Sequence, residues 1–396
     1  MTGFRPELRR EPPADLSDLA DDPGLAERIR GEIHATGPMP FARFMELALY
    51  DPDGGYYRSP EARPGRGGDF ITAPELHPIF GELLARAVDD AWVTLGRPEP
   101  FSVVEHGAGE GALAVPMLAA LPPEIGYHPV EVDERRVAEL RLRLADAGLG
   151  ERLVASLPSP FDGVILANEV LDALPVHRVR QRGDDLRELA VEVGADDRFV
   201  EVEIDPTTSA LAERLAVEGI QLRDGQTAEI ALALDGWVRE SAAPLRRGLL
   251  ILIDYGFPAV ELYDPVRRRD GTLQAYVRHR LGDDPYRFVG RQDLTAHVDV
   301  TAVQHAAEAA GLTTLGLTTQ AEALMALGIE ERLREVQADP STTMEAYTLL
   351  RASLLRLLDP AAMGRFRVMV FGRAWPGGET PRSLRYRLAR PGSTTD

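Results

Sequence analysis

At 396 residues, 44% of them apolar, the chain is long enough for two or three domains with a sizeable core and lacks the composition of a disordered protein. Its formal charge of −19 excludes the basic surface on which nucleic acids and anionic membranes are bound, so neither is expected as a partner. There is no cysteine and all 44 basic residues are arginine, which excludes disulfides, thiolate nucleophiles, zinc–thiolate centres, Schiff-base lysines and P-loop lysines.

Residues 1–24 are rich in proline and aspartate and are expected to be disordered. They lack the apolar core of a secretory signal and are too acidic for a transit peptide, and no apolar run in the chain approaches the roughly 20 residues of a membrane span. A cytoplasmic protein without a membrane span is therefore expected. Residues 25–100 read as an N-terminal helical region. From Phe101 to about residue 260, strand-like apolar runs alternate with helical patterns. Phe101–Glu105 reads as a strand. Leu113–Leu121 reads as a helix with Pro116 near its first turn. Tyr127–Val132 is a second strand, Glu134–Ala147 a helix ending at Gly148, and Leu153–Leu157, Phe161–Ala167 and Leu249–Asp254 further strands. This βαβ rhythm predicts an α/β fold with a mostly parallel sheet and helices on both faces. Residues 177–205 break it: apolar and polar residues alternate around Gly-Asp-Asp and Gly-Ala-Asp-Asp turns, which predicts an antiparallel β insertion. Residues 261–375 read as a second, largely helical region that ends in a strand at Phe366–Trp375, and residues 376–396 as a flexible, arginine-bearing tail.

The segment Val103–Leu113, VVEHGAGEGAL, places Gly107, Gly109 and Gly111 at alternate positions between a strand ending in Glu105 and a helix. Glycines there let a backbone approach a nucleotide-type cofactor closely. Glu131 ends the second strand 20 residues after Gly111 and is placed to accept both hydroxyls of a ribose. A dinucleotide loop reads G-x-G-x-x-G; here the third glycine falls one residue early. That spacing resembles the first motif of class I S-adenosylmethionine methyltransferases, with an NAD(P)-linked oxidoreductase as the alternative.

GGDFITAPELHPIFGELLA at 67–85, ILANEVLDALPVHRV at 165–179, IDYGF at 253–257, GTLQAYVRHR at 271–280 and GRQDLTAHVDVTAVQHAAEAAGL at 290–312 together resemble the MidA family of class I methyltransferases, over roughly residues 27–375. That family includes the mitochondrial arginine methyltransferase needed for respiratory complex I assembly. The resemblance implies a Rossmann-like methyltransferase sheet with an additional helical region on the active-site side. It implies S-adenosyl-L-methionine as cofactor, and it brings Asp69, Phe70 and Thr72 near that cofactor alongside Glu105, Gly107, Ala108, Gly109, Gly111, Glu131, Val132 and Asn168. It implies a protein substrate presenting an arginine, such as a respiratory-complex subunit, and a homodimer. His106, Pro116 and the basic loop at 61–68 depart from the family's pattern and leave the substrate open.

Methyl transfer is a direct displacement that needs alignment and no covalent nucleophile. An arginine acceptor stays cationic, with a pKa above about 12, and asks for carboxylates to hold it. Glu169 and Asp172, in Asn168-Glu169-Val170-Leu171-Asp172 after a strand, are the candidate catalytic acids. Their spacing of three puts them on one face if a helical turn begins there. The structural alternative is that Asp172 caps a turn before Pro175 and Glu169 is a plain hydrogen-bond acceptor. Asp254 and Tyr255 either line the site or merely turn the chain. No histidine pair has the spacing of metal ligands, so no metal is expected. A small-molecule methyltransferase and a cofactor-binding assembly chaperone without turnover are the other functional alternatives.

Overall fold

Apolar runs build the middle of the central sheet of the computed structural model, which describes residues 19–59, 71–157, 159–278, 280–282 and 284–388. Its strands are β1 (Phe101–His106), β2 (Ile125–Val130), β3 (Phe161–Asn168), β4 (Leu245–Asp254), β5 (Thr313–Thr319) and β6 (Arg367–Arg373), in the spatial order β5-β6-β4-β3-β1-β2. The four strands from β4 to β2 are parallel, and β6 runs antiparallel to both β4 and β5. Both faces of β3 and β4 are covered, which is why they read as nearly unbroken hydrophobic runs, whereas the edge strand β2 alternates buried and partly exposed residues. Alternate residues sort into two layers: Val103, Val164, Leu166, Leu249, Ile251 and Ile253 pack under the helix Ile79–Thr94. Val104, Ile165, Ala167, Leu250 and Leu252 pack under the helices Ala233–Ala242 and Val300–Ala309. Each such side chain contributes roughly 1.5–3 kcal/mol on burial.

The insertion is larger than residues 177–205. Strands His177–Arg182, Asp185–Val193 and Phe199–Ile204 form an antiparallel sheet that also takes in Thr227–Ile230 and the distant pair Met39–Pro40. Val179, Ala228 and Ile230 are buried against Leu211 and Leu215 of the helix Ala210–Val217, so the sheet is incomplete without the later segment. Residues 261–375 are less helical than their pattern predicts. They hold a small sheet of Gln274–Val277, Arg280–Gly282 and Asp293–Thr295, and β5, which joins the central sheet.

Three further expectations are corrected. The first helix, Pro23–Thr36, already begins inside residues 1–24, capped by Asp22, whose carboxylate accepts the Leu25 N–H at 3.0 Å. The expected strand Leu153–Leu157 is reduced to one bridge between Leu153 and Tyr127. The tail is anchored as far as residue 388: a turn at Arg382–Leu384 buries Ser383 and Leu384 against the core.

Candidate active site

Each of the three glycines after β1 has a positive φ, +68° at Gly107, +53° at Gly109 and +88° at Gly111, a region that other residues enter only with strain. Their surroundings differ. A Cβ on Gly107 would meet Val170 Cγ2 at 2.7 Å, and one on Gly111 would meet Leu140 Cγ at 3.3 Å. One on Gly109 would meet nothing within 4 Å. Gly107 thus brings the loop against the turn after β3, Gly111 seats it on the helix Glu134–Asp146, and Gly109 faces open space. The side chain of Ala108 between them is buried.

Glu131, one residue past β2, borders that space. Its Oε2 accepts the Gly109 N–H at 2.8 Å and its Oε1 the Val132 N–H at 2.8 Å. A carboxylate offers about four lone-pair sites, so acceptor capacity is left for a ligand. Val130 and Val132 on either side are 38% and 42% exposed, an apolar margin beside an acid. Glu105 sits beneath the loop rather than on its surface. It is buried and accepts the Tyr127 hydroxyl at 2.6 Å; burial pushes its carboxyl up to about 8 against that hydrogen bond. His106 turns to the other face of the sheet, packs edge-on against Trp237 at 5.1 Å, and is held neutral by burial and by His128, down to about 4.

The second half of the site lies at the ends of β3 and β4. Asn168 Nδ2 donates to Glu169 Oε1 at 3.0 Å, while its Oδ1 is buried with no hydrogen-bond partner among the described residues. Glu169 has φ +53°, so no helical turn begins there, and the spacing of three does not by itself align it with Asp172. A different device does. Asp254, at the end of β4, accepts the N–H groups of Val170 at 3.2 Å, Leu171 at 2.9 Å and Asp172 at 3.3 Å on Oδ2, and of Tyr255 at 2.8 Å on Oδ1. The N–H of Glu169 donates to Ile253 O at 2.8 Å. Glu169 Oε1 also accepts the Ala73 N–H at 3.1 Å, which draws in Thr72 and the short helix Ala73–Leu76. Asp69 and Phe70 lie outside the described residues.

Asp172 is buried and accepts the Tyr255 hydroxyl. Burial raises Glu169 to about 8, with the Ala73 N–H opposing and the charge of Asp172 adding, and raises Asp172 to about 6, with the Tyr255 hydroxyl opposing. Burial, then Asp172 and Glu169, also raise Asp254. Among the described residues no arginine pairs with any of these three acids. Buried Asp162, by contrast, holds both Arg246 and Arg247 at 2.7 Å.

Residues that the sequence pattern did not single out lie beside this acidic turn. Tyr50 donates to Ala173 O at 2.9 Å and stacks on Tyr57 with ring centres 5.5 Å apart. Tyr57 donates to Asp293 Oδ1 at 2.9 Å. Ala296 N donates to Asp172 O at 2.9 Å, so the strand Asp293–Thr295 lies beside the acidic turn. The stretches GTLQAYVRHR and GRQDLTAHVDV already stood out in the sequence, but only as a resemblance.

A parallel sheet with a glycine loop after β1, an acid after β2 and acids after β3 defines a cofactor-dependent α/β enzyme whose ligands sit at the carboxyl ends of the strands. The profile of a family of S-adenosyl-L-methionine-dependent methyltransferases matches residues 83–318. The chain is 36% identical to a protein from Burkholderia thailandensis solved with S-adenosyl-homocysteine bound. That likeness covers 92% of this chain and 95% of the other at a TM-score of 0.82. It is 30% identical to the mitochondrial protein arginine methyltransferase NDUFAF7 homolog of Drosophila melanogaster, over 91% of this chain and 87% of that one. It is 26% identical to the human mitochondrial protein arginine methyltransferase NDUFAF7, over 91% and 86%. The chain belongs to this S-adenosyl-L-methionine-dependent methyltransferase family. S-adenosyl-L-methionine is its cofactor. Open space at Gly109, the acceptor Glu131 with its apolar margin, and the unpartnered Asn168 Oδ1 fit that group.

One expectation falls at this point. The relatives in fly, frog and human are mitochondrial proteins, so the cytoplasmic assignment, which rested on the lack of a recognisable leader, does not stand.

Proposed function

We propose that the protein methylates arginine side chains of another protein, with Glu169 and Asp172 as the acids that hold the acceptor. The observation that carries this reading is the cluster of Glu169, Asp172 and Asp254 without a cation of its own among the described residues, in a chain with 44 arginines. The names of the curated relatives support the arginine acceptor and the protein substrate.

When bound, the cofactor supplies a methyl group on a sulfonium, an electrophile that needs no further activation. Gly107, Ala108, Gly109 and Gly111 would carry it against bare backbone. Glu131 and Val132 would meet its adenosine end, and Thr72 and Asn168 its other end. Glu105 supports the loop from below through Tyr127. Glu169 and Asp172 orient the guanidinium, whose planar fork of N–H donors matches carboxylate geometry. Glu169, raised to about 8, loses its proton as the cation enters, because the charge that burial disfavours is then compensated. Methylation leaves the guanidinium cationic and releases one proton; Glu169, poised to rise again toward 8 as product leaves, is the group placed to take it.

The test is label transfer from methyl-tritiated S-adenosylmethionine into a protein extract, followed by hydrolysis and separation of methylated amino acids. Label in methylarginine, lost in Glu169→Gln with S-adenosylhomocysteine affinity kept within a few fold, is the expected result. Label only in small molecules, or unchanged turnover in Glu169→Gln, overturns the reading.

A further inference from the structure

Just past β4 the segment IDYGF leaves the central sheet. Gly256 and Phe257 pair in parallel with Val298 and Asp299, and the Val298 N–H donates to Tyr255 O at 3.0 Å. That register carries a row of rings away from the acidic turn. Tyr255, whose hydroxyl donates to Asp172, lies 5.4 Å from His297 and 5.4 Å from Phe366, and His297 lies 5.5 Å from Phe257, ring centre to ring centre. Arginines stand at the far end of the row. The guanidinium carbon of Arg268 is 3.8 Å from the centre of the Phe257 ring, and that of Arg367 is 5.9 Å from it. Arg367 opens β6 in register with Asp254, and Arg365, two residues earlier, is exposed.

Acids outnumber arginines 63 to 44 in the chain, yet Arg268, Arg365 and Arg367 form no ion pair among the described residues. Backbone carbonyls do not use up their donors. A guanidinium has five N–H groups; Arg268 donates from Nη1 to Glu261 O, and Arg367 from Nε to Gly256 O at 3.3 Å. A guanidinium over a ring face is held in place while its N–H edge stays available, so the Phe257 ring presents the two forks ready for an anion. Burial pulls Arg268 below its ordinary value, opposed by Glu261 and Asp264 and aided by Arg267 and Arg365; an anion there would compensate it. His297 beside them is held neutral, at about 4, by burial and then by Arg268 and Arg365. Its buried Nδ1 has no hydrogen-bond partner among the described residues.

Resting on the arginine reading above, we propose that Arg268 and Arg367, with Arg365 beside them, are a docking site for an acidic side chain of the protein substrate, close in sequence to the arginine that enters the acidic turn. The spacing follows from the row of rings. Tyr255 touches Asp172 and Phe257 touches Arg268, and two residues of chain span at most about 7 Å, so an extended peptide bridges the two sites with roughly two to four residues. Opposite charges at the two ends fix the direction of the peptide: its arginine is repelled by the arginine cluster and its acid by Glu169 and Asp172. The overall charge of −19 does not prevent this, because repulsion is screened beyond about 10 Å and the contact is decided by the local cations.

The experiment uses the full-length protein and two synthetic peptide pools with a central arginine, one carrying glutamate and the other glutamine at the positions roughly two to four residues to either side. Transfer is followed from labelled S-adenosylmethionine. The wild type takes the glutamate pool with a KM lower by about tenfold or more, the effect of one charged hydrogen bond. Its kcat is alike for the two pools, since the contact lies outside the transfer line and contributes to binding alone. Arg268→Gln brings the two KM values within about twofold of each other. Arg365→Gln, at an exposed residue, shifts the ratio in the same direction and decides the matter if Arg268→Gln fails to fold. Reading each variant as a ratio between pools cancels any general loss of activity. Equal KM values in the wild type, or a ratio that survives in both variants, overturn the docking site while arginine methylation stands. Equal KM values together with sedimentation on vesicles of equal parts phosphatidylcholine and phosphatidylglycerol, lost in Arg268→Gln, overturn it in favour of a lipid surface. If the wild type labels neither pool although it binds S-adenosylhomocysteine, the arginine reading fails and takes this proposal with it.

Discussion

Asp254 accepts the backbone N–H of Leu171 at 2.9 Å, and through that bond and its neighbours the end of β4 shapes the acidic turn after β3. The two strands are parallel neighbours, Asn168 standing opposite Ile253 in register, so the carboxylate lies where the next turn must pass. An acid two strands' ends apart in sequence thus sets the position of both Glu169 and Asp172.

Removing that acceptor leaves four backbone N–H groups, those of Val170, Leu171, Asp172 and Tyr255, without the partner they have here. Asp254→Ala is expected to destabilise the protein by roughly 3 kcal/mol or more, at about 1–3 kcal/mol per orphaned group. Asp254→Asn keeps one acceptor oxygen, and is expected to keep cofactor affinity but lose turnover by about 100-fold as Glu169 and Asp172 drift. Denaturant unfolding and label transfer measure the two effects separately.

Gly107 and Gly109 differ in what surrounds them, and their alanine variants are expected to differ too. In Gly107→Ala the new methyl collides with Val170, so stability and the acceptor turn suffer together. In Gly109→Ala the methyl enters open space and the cost to folding is the left-handed backbone alone, about 1–2 kcal/mol. S-adenosylhomocysteine affinity should nevertheless fall by roughly tenfold or more, because the methyl occupies the cofactor's approach. Calorimetry beside unfolding curves distinguishes the two.

Glu131→Gln keeps the size of the side chain and removes its charge. The Gly109 and Val132 N–H groups then compete for a single carbonyl oxygen, and a ribose hydroxyl loses an anionic acceptor. At about 1.5–3 kcal/mol for a charged hydrogen bond, affinity for S-adenosylhomocysteine should drop about 10- to 100-fold. An affinity within twofold of wild type would remove Glu131 from the cofactor site.

The acids predict a pH dependence of definite sign. Glu169 and Asp172 have folded pKa values near 8 and 6, raised above the usual carboxylate range, so between about pH 4 and 8 the folded state binds more protons than the unfolded one. Their contribution to stability is full below the unfolded values and is lost as pH rises through the folded ones. The cofactor-free protein should therefore become less stable from about pH 5 to 8, and Glu169→Gln should flatten the curve. Binding of an arginine peptide should show the opposite trend, strengthening over the same range with release of protons. Calorimetry in two buffers of different ionisation enthalpy reads that release directly.

Much of the geometry of the proposed cofactor half was legible in order along the chain. Three glycines between an apolar strand and a helix, and an acid after the next strand, are local features, and the structure puts Gly109 and Glu131 in direct contact at 2.8 Å. The acceptor half was less so. Glu169 and Asp172 were singled out for a helical turn beginning at Glu169, whereas the turn that forms is Leu171–Ala173, and the residue that shapes it, Asp254, had equal weight as an ordinary turn residue. Tyr50 and Tyr57 carried no signal, and Asp293 stood only inside a stretch noted for its resemblance, because nothing in an isolated tyrosine or aspartate tells which of several strands it will face. Glu105 pointed toward the loop in sequence, yet the pleat sends it to Tyr127 below.

The sequence by itself determined the α/β rhythm, the two-faced burial of the parallel strands and the bare loop with its partner acid, since periodicity and glycine spacing act between near neighbours. Only the tertiary structure decided what surrounds the acidic turn. Tyr50 and Tyr57, residues 168–173, residues 254–255 and residues 293–296 meet there, and contacts between such distant segments depend on sheet order, register and the packing of whole layers, none of which a local pattern encodes.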